Sequence, residues 1–241
     1  GGATFGGGAQ FSGATFGWHV WFGGATFEDD ALFDGVTFKS DARFDEVTFK
    51  SGARFSDATF KSDADFRSAI FKGDVPLLGP VTVKRKFNLD GAQFASLVRI
   101  DTDAGVLTCR RGQFAGGVRF DVRHALVHLD NSDLSVPSFL TGPTMASTSR
   151  AGSAEQPRLL SLQGANVAGL TLRNVDLTDC RFAGAHNLDK LRLEAGIVME
   201  LSPAVAGWER RQVIAEECAW RAARARPGQW PWPPPAGPPR I

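Results

Sequence analysis

Along the first third of the chain the apolar positions keep a short, fixed rhythm. Phenylalanine returns at 5, 11, 16, 22, 27, 33, 38, 44, 49, 55, 60, 66 and 71, in steps that alternate six and five. The repeating unit is therefore eleven residues, and Ala or Val stands two places before every one of these Phe, from Ala3 to Ala69. A helix is excluded, because such steps scatter Phe around a 3.6-residue cylinder. An ordinary strand is excluded too, because Gly, Ser and Asp interrupt every few residues. What fits is a three-residue extended piece, small–variable–Phe, whose first and third side chains point the same way. Links such as Asp45-Glu46 and Lys39-Ser40-Asp41 then turn corners, for which Gly, Asp and Ser are suited. Units this short cannot bury their own apolar face, so they predict a solenoid in which each coil packs on its neighbours.

The small-x-Phe triplets resemble the pentapeptide-repeat family, whose unit carries a small residue two before a central Leu or Phe. The resemblance implies an all-β fold, a right-handed quadrilateral β-helix with four short sides per coil. An extra residue at alternate corners makes the coil 22 residues here. One expected core ladder is Phe5, Phe27, Phe49 and Phe71, and a second is Phe22, Phe44 and Phe66. Phe16, Phe38, Phe60, Phe11, Phe33 and Phe55 complete the inward set. A surface of aromatic rings for base stacking is the rejected reading, because the paired small residue marks an inward position.

After Phe71 the rhythm loosens. Residues 1–71 are read as regular coils and 72–139 as degenerate coils of the same β-helix, with inward candidates Leu77, Val83, Leu89, Phe94, Ile100, Phe114, Phe120, Leu129, Leu134 and Phe139. Pro76 and Pro80 are expected at corners rather than on hydrogen-bonded sides. The small, polar stretch 140–158 reads as a loop. Over 159–193 the repeat returns in strict steps of five through Leu162, Val167, Leu172, Leu177 and Phe182. Ser202-Pro203 then suits a helix start. The run 202–226 has helical spacing, with Val205, Trp208, Gln212, Ala215, Ala219 and Ala222 on one face, so a C-terminal capping α-helix is expected over the solenoid's open end. The tail 227–241 is Pro-rich and reads as extended.

Composition excludes more than it assigns. Hydrophobic residues make up 43% and the net charge is +1, so neither bulk disorder nor a polyionic chain is expected. Cys109, Cys180 and Cys218 show no disulfide or zinc spacing, and Cys180 falls in an inward small slot. The chain begins mid-repeat without Met, which points to an upstream part. With neither a secretory signal nor a run of about 20 apolar residues, a cytoplasmic protein without a membrane span is expected.

Candidate chemistry is sparse. His124 and His128 are four apart, a chelating distance on a helix but not on a β-helix, so no metal, cofactor or catalytic residue is assigned. The favoured function is a non-catalytic scaffold for an unknown protein partner. The family resemblance also implies homodimerisation through the C-terminal end as one option, and DNA-gyrase modulation by DNA mimicry as the alternative function. Against mimicry, residues 1–75 carry eleven acids and seven bases, a mild −4. Asp34, Asp45, Asp57, Asp63 and Asp65 alternate with Arg43, Arg54, Lys61 and Arg67. The same mixture offers no basic stripe, so direct nucleic-acid binding is not expected. A carbohydrate-active β-helix ranks third. The chain further resembles actinobacterial members in which a helix like Arg210 to Arg221 leads to a membrane span, whereas here a Pro-rich tail follows.

Overall fold

The small-x-Phe triplets form strands only two residues long, and each pairs in parallel with the triplet one coil on. The computed structural model describes residues 2–74, 76–143, 156–201 and 212–213. Eight successive pairings carry one column of the solenoid through Thr4, Thr26, Thr48, Ile70, Gln93, Gln113, Asp133, Asn166 and His186. Three further columns start at Ala9–Gln10, Thr15–Phe16 and Val20–Trp21. The molecule is thus an all-β solenoid of about eight turns, four short sides to a coil, without an α-helix among the described residues.

Inside, each regular coil contributes four rings. Phe5, Phe27, Phe49, Phe71, Phe94 and Phe114 stack in one pile, their ring centroids 4.6 to 5.3 Å apart. Phe11/Phe33/Phe55, Phe16/Phe38/Phe60 and Phe22/Phe44/Phe66 form three others. The stacking distance follows from the interstrand spacing of about 4.8 Å, since each ring rides on its own strand. Between piles the rings meet edge to face, as Phe44 does with Phe33 (87°) and Phe55 (89°), the arrangement the aromatic quadrupole favours. From Phe27 to Phe71 these rings and their Ala or Val partners are buried, whereas Phe5, Phe11, Phe16 and Phe22 of the first coil are half-buried. Each fully buried ring contributes on the order of 1.5–3 kcal/mol, so a column one ring thick serves as a core.

The alternation of five and six comes from two kinds of corner. At the five-residue step the chain makes a four-residue turn, such as Phe33 to Val36, whose third residue has positive φ. That left-handed place recurs every eleven residues, at Gly2, Gly13, Gly24, Gly35, Glu46, Asp57 and Ser68. At the six-residue step the wider corner is closed by an aspartate that accepts a backbone N–H one coil on. Asp30 accepts from Gly52 at 2.9 Å, Asp41 from Asp63 at 3.3 Å and Asp63 from Lys86 at 3.1 Å.

Beyond Phe71 the coil changes length. Leu77–Asn88 runs through three sides of one coil and pairs with Val98–Thr108. Two register shifts, between Leu78 and Val81 and between Val83 and Lys86, take the offset from 22 (Leu78↔Ile100) to 20 (Phe87↔Leu107). Pro80 stands, as expected, at the corner between the second and third sides, which this long strand passes through at its first irregularity, where the missing N–H breaks no ladder bond. Two inward candidates are corrected: Leu77, whose register with outward Arg54 and Arg99 leaves the buried Leu78 in the inward place, and Phe139. Phe139 is 42% exposed and pairs with outward Arg119, while Ser138 and Leu140 point in. The phase is set by the small-x-Leu spacing, not by the aromatic, and a one-residue slip inverts every side chain.

Ser138–Thr141 and Arg158–Ser161 are strands, so the loop read over 140–158 is shorter at both ends. Most of the rest of it lies outside the described residues. Arg158–Ser161 pairs with Leu126–His128, and Leu170–Arg173 with Ser138–Thr141, so coils continue on the far side. At the C-terminal end Gln212–Val213 pairs antiparallel with Glu200–Leu201. The expected helix therefore does not run through Gln212; Val213 is β-branched and favours extended backbone. Val205, Trp208, Ala215, Ala219 and Ala222 of the expected cap lie outside the described residues.

Candidate interaction surface

Because alternate residues point in, the outward ones stand in columns fixed by the coil. Their charges are organised along those columns, between residues 20 to 22 apart. Lys50 bonds Glu28 at 2.9 Å, Arg54 meets Asp34 at 3.1 Å and Arg85 meets Asp63 at 3.5 Å. On the longer strands a continuous chain of ion pairs forms. Arg119 meets Asp121 (3.1 Å), Asp121 meets Arg99 (3.0 Å), Arg99 meets Asp101 (3.6 Å) and Asp101 meets Arg123 (3.0 Å). Single exposed pairs contribute about 0–1 kcal/mol, but a shared network holds its side chains in one arrangement.

Several acids are bound to the scaffold itself. Asp30 accepts the Ser51 hydroxyl at 2.7 Å, and that bond above all holds its carboxyl below the usual range. Asp41 is lowered likewise, chiefly by the Ser62 hydroxyl. His128, partly buried beside Asp130, is lowered by desolvation. His124 pairs instead with Asp103 at 3.2 Å, so the two histidines serve different carboxylates. Among the described residues no group of three His, Cys, Asp or Glu is placed to hold a metal ion. Cys109 is buried with its thiol on the Leu89 carbonyl, and burial pushes its pKa up.

The five aspartates weighed for mimicry lie on different parts of the coil. Asp34 and Asp57 belong to tight corners after the second side, and Asp63 to the wide corner before the fourth. Asp65 is on the fourth side, tied to Arg67 at 2.8 Å, and Asp45 follows that side. The model for the family described as pentapeptide repeats (9 copies) matches residues 1–37 and 33–78. Over residues 1–78 this is a pentapeptide-repeat protein. No curated protein and no solved structure matches the chain. In this pentapeptide-repeat solenoid the described residues include no helix long and apolar enough to cross a membrane.

Sequence reasoning passed over the first-coil tryptophans. Trp18 is 85% exposed and Trp21 69%, and the Arg43 guanidinium lies 5.5 Å from the Trp21 ring centre. Trp21 and Arg43 form one wall of a surface notch of about 270 Å³ that is completed by Gly23, Gly24, Asp45 and Glu46. The available signal was positional. Residue 21 occupies the outward slot filled by Arg43 and Asp65 in the next coils, so an indole there faces solvent.

Proposed function

We propose that this protein is a non-catalytic scaffold whose solenoid presents a rigid, charge-patterned surface to a protein partner. The observation that carries this reading is the five-membered ion-pair chain from Arg119 to Arg123, which fixes outward groups of both signs over neighbouring strands. Such a surface confers specificity by complementary placement of charge more than by area. Asp30, Asp41, Asp34 and Asp65 are engaged in closing corners or pairing with Arg, which supports a structural role for them. We assign the protein to the cytoplasm, where the buried Cys109 thiol stays reduced. Gyrase modulation is disfavoured, because the five candidate aspartates are spread over different parts of the coil and partly neutralised. The test is affinity capture compared between the native chain and an Arg99→Glu/Arg119→Glu variant of equal stability. A partner that is enriched by the native surface and lost with the variant supports the proposal. Identical profiles for both, or potent salt-sensitive inhibition of gyrase supercoiling, count against it.

A further inference from the structure

The wide corner between the third and fourth sides gathers residues that are far apart in sequence. Phe16, Phe38, Phe60 and Val83 pair in succession, so the residues that follow them, Gly17, Lys39, Lys61 and Lys84, stand in one column. Successive members are about 4.8 Å apart, and the column is about 14 Å long. Lys39, Lys61 and Lys84 are exposed, and among the described residues none has a carboxylate within ion-pair distance. The next column over is Trp18, Ser40, Ser62 and Arg85, and beside it stand His19, Asp41, Asp63 and Lys86. Five bases therefore share this strip with two acids. Both acids accept scaffold N–H groups, Asp41 from Asp63 and Asp63 from Lys86. Asp41 also meets His19 at 3.7 Å and Asp63 meets Arg85 at 3.5 Å, so the three lysines of the first column stay unpaired among the described residues.

Stacked like charges on adjacent strands destabilise a sheet, so the lysine column costs the fold something unless an anion is met there. The head of the neighbouring column carries the largest exposed indole surface described, Trp18, with Trp21 three residues on. A track of cations beside exposed aromatic faces is the combination that holds unpaired nucleotides, phosphates on the cations and bases on the rings. We propose that the corner formed by Trp18, Lys39, Lys61, Lys84 and Arg85 binds single-stranded nucleic acid without sequence preference. Read along the chain, these cations are separated by serines and acids; the coil brings residues 22 or 23 apart into one track. This role is separate from the protein-scaffold reading and stands on different residues.

Fluorescence anisotropy with the full chain and a labelled oligodeoxythymidine of about 12 nucleotides tests it, at salt from roughly 25 mM upward. Saturable binding is expected, with log affinity falling linearly in log salt. The Lys39→Ala/Lys61→Ala/Lys84→Ala variant should flatten that slope by about 2, at about 0.7 for each phosphate no longer neutralised. Trp18→Ala should weaken binding about five-fold or more without changing the slope. Lys50→Ala/Lys72→Ala, on another corner, should leave it unchanged, and far-UV circular dichroism should show every variant folded. The proposal is overturned by absence of saturable binding, or by equal affinity for a duplex together with indifference to Trp18→Ala. Binding of a sulfated oligosaccharide or anionic vesicles in place of the oligonucleotide overturns it as well. Partner capture with the Arg99→Glu/Arg119→Glu variant reports on the scaffold role independently.

Discussion

At Glu46, Asp57 and Ser68 the backbone takes the left-handed form that Gly24 and Gly35 take one or more turns earlier. A side chain there costs about 1–2 kcal/mol in steric strain, partly offset by the smaller entropy of a non-glycine unfolded chain. Glu46→Gly should therefore raise stability by up to about 1 kcal/mol, whereas Gly35→Ala should lower it by about 1 kcal/mol. An added methyl at Gly35 meets nothing closer than 4.0 Å, so strain alone decides the outcome. Urea melts of the two variants check this; a change of the same sign in both would refute the turn assignment. The inward Phe set was legible from spacing because every repeat has its small partner two places earlier. Phe139 was not, because an aromatic looks like core wherever it stands, while the true inward pair, Ser138 and Leu140, is unremarkable in composition.

At the scale of the element, corners and sides are stabilised by different chemistry. Sides are held by backbone ladders and rings, which are insensitive to pH. Wide corners depend on carboxylates, and Asp30 and Asp41 have pKa values lowered in the folded state. A lowered folded pKa means stability that is present above the unfolded value and lost as pH falls through the folded one. His128, also lowered, adds a cost as pH drops below its unfolded value near 6.5, because the folded form resists the charge. Stability should thus be flat between about pH 7 and 8, fall gently toward pH 5 and more steeply below about pH 4. It should fall again above about pH 8.5, where the unfolded chain ionises Cys109 and the buried thiol does not. Thermal melts across that range measure it, and Asp41→Asn should flatten the acid limb; greater stability in acid than at neutrality would contradict the assignment. The corners were legible only as places for Gly, Asp and Ser. Asp30, Asp41 and Asp63 at wide corners and Asp34 and Asp90 at tight ones each accept an N–H one coil on, a partner that single residues do not announce. The long strands Leu77–Asn88 and Val98–Thr108 were hidden because bulges at Pro80 and near Arg85 break the apolar period. The helix expected through Gln212 rested on periodicity and on the Ser202-Pro203 start, local signals that the antiparallel pairing with Leu201 overrode.

Over the whole molecule, the coil offset is 20 between Val106 and Leu126, 32 between Leu126 and Arg158, and 20 again between Asn166 and His186. The excess of twelve equals the length of 144–155, and Gly142 lies close against Pro157, so the two ends of that stretch leave the solenoid side by side. Deleting 144–155 should leave a 20-residue coil and a cooperative unfolding transition within about 1 kcal/mol of the native chain. Loss of the transition for the part beyond 156 would show that those coils do not continue the stack. The surface proposals all rest on one claim, that each side sends alternate residues inward and outward in a fixed register. The most direct measurement compares Phe44→Asp with Arg43→Asp in denaturant melts. Phe44 is buried among five rings, so its loss costs about 3–5 kcal/mol before the added expense of a buried carboxyl. Arg43 is exposed and gives up only its packing on Trp21, about 0.5–1 kcal/mol. The account predicts an unfolded or severely weakened Phe44→Asp beside a near-native Arg43→Asp; equal destabilisation of the two would contradict it.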